Sequence, residues 1–443
     1  MSKIPLIVIL GSTGTGKTKL SIELAKRFAS EIISADSMQV YANLDIVTAK
    51  ATKEEQKEVP HHLLDVATPS NPFTVVRFRN QALPIIDNLL KQSKCPIIVG
   101  GTNYYIESIL WDILVNASED SYIESTVESN EKWLTTTSEE LHEELKKVDP
   151  KYAQMIHPNN KRKIVRALDV FKRTGIPLSE ILKDQRNKPG GNRLGGPLRY
   201  PHTILFWLRC NQDVLNDRLN KRVDSMLKQG LLKEIRNFYN IHFMETKDDS
   251  YTKGILQSIG FKEFIPYLKQ FDSNHDEIIG KYLKENNFQI KEDCDQNKPE
   301  GMTILLNCLE ELKLVTQRYS KKQIKWIKNR FLASKDRQVP PIYKLDTSDV
   351  NQWENEVQKK AIHVIETFIE GKSCTIQPLK HIKHPGSGLN EEVTNYCEVC
   401  KRHFIGEFQW GVHLKSNKHK KRKDSNNKKL KMLQNEEISK LKK

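Results

Sequence analysis

Apolar positions along the chain fall into two patterns. Short unbroken runs, PLIVIL at 5–10, EIISAD at 31–36, CPIIVG at 95–100 and HTILFWL at 202–208, lack the alternation of a strand with one wet face. They predict strands buried on both sides of a parallel sheet. Helix-periodic stretches such as TKLSIELAKRF at 18–28 lie between them, so the chain reads as α/β. From 116 to 200 the pattern becomes charged and helical (EELHEELKKVDPKYAQMI, KRKIVRALDVFKRTG) and closes in KPGGNRLGGP, which predicts an inserted helical domain. Beyond 208 the α/β pattern resumes with VLNDRLNKRVDSMLKQGLLKEIRNFY and QRYSKKQIKWIKNRF, and a polar stretch near 270–300 reads as a surface excursion.

The expected division is therefore a core over 1–115 and 201–345, the helical insertion over 116–200, a linker region over 346–392 containing HPGSG, a compact segment over 393–425 and a basic tail over 426–443. A chain of 443 residues is long enough for two or three domains. No apolar run approaches the roughly 18 residues that cross a bilayer, so a soluble chain with no membrane partner is expected. The seven cysteines are odd in number and five are scattered, which argues against a disulfide framework and for a reducing compartment. Together with an N-terminus that enters an apolar strand without an export-type leader, this predicts a cytoplasmic protein. Net charge is +15, of which +9 lies in residues 414–443, leaving +6 for everything before them. Such a tail suits a polyanionic partner or a solubilising or import segment.

Candidate chemistry begins at 11–18, where GSTGTGKT follows a predicted strand and precedes a predicted helix. The pattern G-x-x-x-x-G-K-[ST] in that context makes a phosphate cradle. Gly11, Gly14 and Gly16 let the backbone amides of Ser12, Thr13 and Thr15 turn inward, Lys17 supplies a point charge, and Thr18 offers a hydroxyl to Mg²⁺. The ligand expected is a di- or triphosphate. An NTPase usually ends a further strand in a metal-holding acid, yet CPIIVG runs into Gly100-Gly101-Thr102-Asn103. The nearest strand-end acid is instead Asp36, in SADSMQVY at 34–41, a position open to either helix capping or catalysis.

These motifs, with LDIVTAK at 44–50, HHLLD at 61–65, GGTNYYIESIL at 100–110, RALDVFKRTG at 166–175, RVDSMLKQGLL at 222–232 and GILQSIGFKEF at 254–264, resemble the tRNA dimethylallyltransferases, or tRNA isopentenyltransferases, in family order. The resemblance departs at Ala42 and Val47, where bacterial members typically have a basic residue and a glycine. It implies a P-loop core with a helical insertion that contacts tRNA. It also implies transfer of a dimethylallyl group from dimethylallyl diphosphate to the exocyclic amine of the adenosine 3′ of the anticodon, with tRNA as partner substrate and the chain a monomer. Asp36 fits a general base, Thr102 and Arg222 match active-site positions, and Ser37 and Gln39 are expected to position the adenine or support their loop. Two other readings use the same residues: a P-loop nucleotide or nucleoside kinase, and an RNA-binding zinc-finger scaffold carrying an idle enzyme domain.

Cys397-x₂-Cys400-x₁₂-His413-x₅-His419 has the ligand types and spacing of a closed, structural Zn²⁺ site. Phe404, Phe408, Trp410 and Leu414 are expected to form its small apolar core. CEVCKRHFIGEFQWGVHLKSNKHKK resembles the matrin or U1-type fingers associated with RNA and the extension of eukaryotic members of the family. An RNA-backbone clamp is the expectation, with protein docking the alternative. Nuclear and mitochondrial pools are compatible with the sequence.

Overall fold

The computed structural model describes residues 4–69, 71–114, 133, 135–243, 254–288, 298–333, 337–382 and 394–427. They form two compact units, one of residues 1–114 and 197–382 and the other of 115–196 and 383–443.

The first unit is built on six parallel strands, β1 Leu6–Gly11, β2 Ile32–Ser34, β3 His61–His62, β4 Ile97–Val99, β5 Thr203–Arg209 and β6 Ile342–Asp346, in the order β3-β2-β4-β1-β5-β6. Central β1 shows why its sequence does not alternate. Leu6, Val8 and Leu10 enter one apolar layer while Ile7 and Ile9 enter the other, and all five are fully buried. Both faces are covered, as parallel sheets require. Register is set by Ile7 against Ile97 on one side and Ile204 on the other.

Three details depart from the sequence expectation. Residues 346–382, expected within the linker, instead carry the helix Lys359–Ile369, whose Ala361, Val364 and Ile365 complete the second apolar layer with Trp353 and Val357. The polar stretch near 270–300 contains the helix Ser273–Glu285, docked by buried Ile279 and Leu283 and by Arg236, which bonds Asp276 at 2.6 Å. Residues 289–297 of that stretch lie outside the described residues. The amphipathic run at 214–239 is two helices, Gln212–Gln229 and Leu231–Phe238, because Gly230 adopts φ +102° between them.

In the second unit, helices Ser138–Val148, Pro150–Met155, Lys161–Thr174 and Leu178–Asn187 close around Leu141, Leu145, Ile156, Ile164, Leu168 and Leu178. The β-hairpin of β7 Thr394–Cys397 and β8 Arg402–Ile405, followed by the helix Glu407–Lys415, packs against them. There the His403 ring lies 5.6 Å from His157, and Thr394 donates to the Gln154 carbonyl. The tail beyond residue 427 lies outside the described residues.

Candidate active site

The carboxyl ends of β1, β2 and β4 converge on a cavity of about 600 Å³. This is where ligands of open α/β sheets bind. The loop after β1 contributes Thr13, Gly14, Gly16, Lys17 and Thr18; the turn after β2 contributes Asp36, Ser37 and Gln39; Gly100 and Gly101 follow β4; and Arg222 comes from the helix Gln212–Gln229. Glycine is needed at 100 because a Cβ there would stand 2.1 Å from the Ala35 carbonyl oxygen, so β2 and β4 could not end side by side.

Charge in the cavity is balanced by proximity and burial. The Lys17 ammonium donates to the Ser12 carbonyl at 2.9 Å, and burial brings its pKa down to about 8, against the pull of Asp36 and with the push of Arg222. Asp36 moves the opposite way. Burial raises its carboxyl above the ordinary carboxylate range, partly offset by the Met38 amide at 3.0 Å, by Lys17 and by the amides of Gln39 and Gly101. Arg222, lowered by burial, donates to the Thr13 hydroxyl at 3.4 Å. One half-buried carboxylate within electrostatic reach of two half-buried cations suits proton uptake beside a bound anion.

Thr102 does not line the cavity directly. Its hydroxyl accepts from the Ser37 amide at 2.9 Å and donates to the Ser37 hydroxyl at 3.1 Å, tying the strand end to the Asp36 turn. Gln39 accepts from Ser34 at 3.1 Å and donates to the carbonyls of Thr48 and Ala49 at 3.1 and 3.2 Å, so it braces the loop that follows. That loop carries the LDIVTAK motif, and its Asp45, together with Asp65 of the HHLLD motif that begins on β3, pairs with buried Lys50 at 2.6 Å. The motif is a strut. Ser12 and Thr15 are buried, with the Thr15 hydroxyl on the Ser12 carbonyl at 2.8 Å, and Gly11 has extended backbone leading into the loop.

Sequence reading recognised the amphipathic C-terminal half of the helix Met302–Ile327 but missed its place at the site. Its Gln323 accepts from the Thr13 amide and donates to the Gly101 carbonyl, both at 2.9 Å, clipping the phosphate loop to the strand end beside Asp36. Tyr319, one turn earlier, reaches the same carbonyl at 3.4 Å, and burial with the nearby Asp36 charge pushes its phenol upward. Glu234 was also missed. It accepts from the Ile46 amide at 2.7 Å, holding the loop whose Val47 walls the cavity, and burial raises it to about 7. The only available signal was the spacing Thr316, Tyr319, Gln323 along one helical face.

In the second unit the ligand atoms of Cys397, Cys400, His413 and His419 all lie within 4.8 Å of one another, and all four residues are buried. The sulfurs of Cys397 and Cys400 stand 3.5 and 3.6 Å from His419 Nδ1, and buried His413 Nε2 has no protein partner. The set is a two-thiolate, two-imidazole cage of tetrahedral size. Phe404 stacks on His413 with ring centroids 3.8 Å apart, while Leu414, expected in this small core, is 40% exposed.

The molecule is an α/β protein with a parallel sheet, a glycine-rich loop and a half-buried acid at the sheet's carboxyl edge, and a Cys₂His₂ module of the zinc-finger class. The sequence matches the model of the IPP transferase family over residues 39–330 and that of a zinc-finger double-stranded RNA-binding family over 394–420. The tRNA dimethylallyltransferase of Mus musculus is 42% identical over 421 residues, covering 94% of this chain and 85% of that protein. The Homo sapiens enzyme of the same name is 41% identical over the same span and shares, and the Schizosaccharomyces pombe enzyme is 35% identical over 94% of both chains. A solved eukaryotic dimethylallyltransferase acting on tRNA aligns over 98% of this chain and 99% of its own with a TM-score of 0.76 at 28% identity. The chain belongs to the IPP transferase family, the tRNA dimethylallyltransferases.

Proposed function

We propose that the chain transfers a dimethylallyl group from dimethylallyl diphosphate to the exocyclic amine of the adenosine 3′ of the anticodon in tRNA. The observation that carries this is one cavity holding both the glycine-rich loop at 11–18 and a half-buried acid of raised basicity, Asp36. Apolar Val47, Leu219, Val223, Met226, Ile259 and Leu312 line the same cavity, which suits a branched five-carbon chain.

The roles follow from charge. An exocyclic adenine amine is a weak nucleophile because its lone pair enters the ring. Asp36 takes its proton as the nitrogen–carbon bond forms, an effect worth about 10²–10⁴ in rate. As the allylic carbon–oxygen bond breaks, negative charge grows on the diphosphate, and Lys17, Arg222 and the amides of residues 12–18 stabilise it. Ser37, Gln39 and Thr102 keep the Asp36 turn in place. To present its amine, the adenosine leaves its stack, which costs least in a single-stranded loop.

Thr18 lines the cavity beside Lys17, and its hydroxyl is a suitable protein ligand for Mg²⁺, which commonly takes one or two protein groups and completes its shell with phosphate and water. When bound, the ion supplies further neutralisation of diphosphate charge. Zn²⁺ in the Cys397, Cys400, His413, His419 cage supplies structure alone, and the finger with its basic tail serves as a clamp on RNA phosphates. The chain acts as a monomer in the cytoplasm, with nuclear and mitochondrial pools compatible with the sequence.

Incubating the protein with labelled dimethylallyl diphosphate or labelled ATP, together with unmodified tRNA and free nucleosides, decides among the readings. Prenyl label in tRNA is expected. Label in a nucleotide means a kinase, and no transfer with retained RNA binding means a scaffold.

A further inference from the structure

The stripe of the helix Met302–Ile327 that lines the cavity with Thr316, Tyr319 and Gln323 does not stop there. Three and seven residues past Gln323 it presents Trp326 and Arg330, so Trp326 stands about 4.5 Å further along the helix axis. On the neighbouring element Tyr104 stands two residues past Thr102. The rings of Tyr104 and Trp326 meet edge to face with centroids 6.2 Å apart and planes at 65°. Both are exposed, at 38% and 37%.

This pair is held, not loose. The Trp326 indole donates to Glu107 at 2.5 Å, and Glu107 is fully buried between Arg330 and Arg337, each at 3.0 Å. The Arg330 guanidinium also lies 5.7 Å from the Trp326 ring centroid. An aromatic whose polar edge is locked inward while its ring meets solvent has lost its rotamer entropy in advance, a feature of binding platforms. The surrounding charge says what kind of partner fits. Residues 312–335 contain eight Lys or Arg and no Asp or Glu, and Lys321, Lys322, Lys325 and Lys328 are exposed along this helix. Lys313, Arg318 and Arg330 are held in ion pairs, which leaves the four exposed lysines as the charge offered to a partner. Exposed rings beside such a row of lysines are the chemistry of single-stranded nucleic acid, in which bases stack and phosphates pair.

We propose that Tyr104 and Trp326 form a stacking platform for the nucleotide next to the one whose amine enters the cavity, with the helix lysines holding the backbone that joins the two. The inference rests on the tRNA reading above and deepens it. A platform one helical turn beyond the cavity keeps the flanking base stacked while its neighbour is extruded, so part of the stacking lost by the reacting nucleotide is recovered on the protein. It also makes the contact tolerant of base identity, since every base has a face to stack.

The test is equilibrium binding, without dimethylallyl diphosphate, of the full chain to a fluorescent anticodon stem-loop RNA. The RNA is used intact and with an abasic nucleotide at either neighbour of the target adenosine. Wild type is expected to lose about five- to 150-fold in affinity at one neighbour. Tyr104→Ala is expected to lose a comparable factor on intact RNA and little more on that abasic RNA. Trp326→Phe, which keeps a ring, should fall between the two. The salt slope of Tyr104→Ala should match wild type, whereas Lys325→Gln should flatten it by roughly 0.7–0.9. If both aromatic variants bind intact RNA within about twofold of wild type, or lose the same factor on intact and abasic RNA, the platform is overturned while the tRNA reading stands. If wild type binds no stem-loop at all, both fall together.

Discussion

The sheet unit and the finger hold their functional residues by opposite means. Around β1 the frame is apolar on both faces, and the loops bearing Asp36, Lys17 and Thr102 are fixed by hydrogen bonds from residues far away in sequence, such as Gln323. The finger buries its four ligand residues and little else: His413 is flanked by Phe404 and Trp410, while Tyr396, Val412 and Leu414 are 41%, 51% and 40% exposed. The first keeps its geometry by hydrophobic burial; the second depends on an ion to pull its ligands together. On the roles proposed above, chemistry is assigned to the part whose frame holds itself and capture to the part that must be assembled.

The largest effect that could break this contrast is at Asp36. Asp36→Asn preserves shape and removes the base, so kcat should fall about 10²–10⁴ while tRNA affinity and thermal stability stay near wild type. A folded variant with kcat within about threefold of wild type, with chemistry rate-limiting, would take Asp36 out of the mechanism.

Gln323 sharpens the claim that distant residues set the geometry. Gln323→Leu keeps approximate volume but leaves the Thr13 amide and Gly101 carbonyl without their clip. A small displacement of the phosphate loop from the base should lower kcat by roughly 10–10² with little change in KM for tRNA. Gln323→Glu, which retains the acceptor for Thr13 but not the donor for Gly101, should lie between. Equal rises in KM for both substrates would instead point to general loosening.

The cavity's charges predict the pH profile. Asp36 works deprotonated and its carboxyl is raised by burial, so kcat/KM should climb with pH through a value above the ordinary carboxylate range. Lys17 works protonated with a pKa of about 8, so kcat/KM for dimethylallyl diphosphate should fall above that pH, by about tenfold at pH 9. Lys17→Arg, whose guanidinium stays charged, should remove the alkaline limb; Asp36→Asn should remove the acid limb from what activity is left.

Much of this was legible before any coordinates. GSTGTGKT marks a loop that the structure sets at the cavity after β1, and the Cys397 to His419 spacing marks four residues whose ligand atoms it gathers within 4.8 Å of one another. The insertion showed itself as a change of period. What could not be read were contacts set by tertiary packing. Gln323 lies more than 200 residues from Gly101, and as a polar residue on an amphipathic helix it reads as solvent-facing, although it is 4% exposed. β6, with Lys344 and Asp346 exposed, lacks the unbroken apolar run of a central strand because it is the sheet's edge, and so the helix packed beyond it was read as linker.

The smallest expected effect concerns the finger. Truncation after Ile382, whose amide bonds the Leu332 carbonyl within the sheet unit, removes the Cys₂His₂ module and the +9 of residues 414–443. The chemical step at saturating tRNA should be unchanged, because the described residues that line the cavity all precede Ile382. KM for tRNA should rise about three- to tenfold near physiological salt, and each lost phosphate contact should flatten the dependence of log K on log salt by roughly 0.7–0.9. Full-length protein should carry one zinc per chain, and Cys397→Ser should abolish it and reproduce only part of the loss, since the lysines remain on a tail that is no longer aimed. Should Cys397→Ser lower kcat at saturating tRNA as far as Asp36→Asn does, the finger would belong to the catalytic frame and the contrast drawn here would collapse.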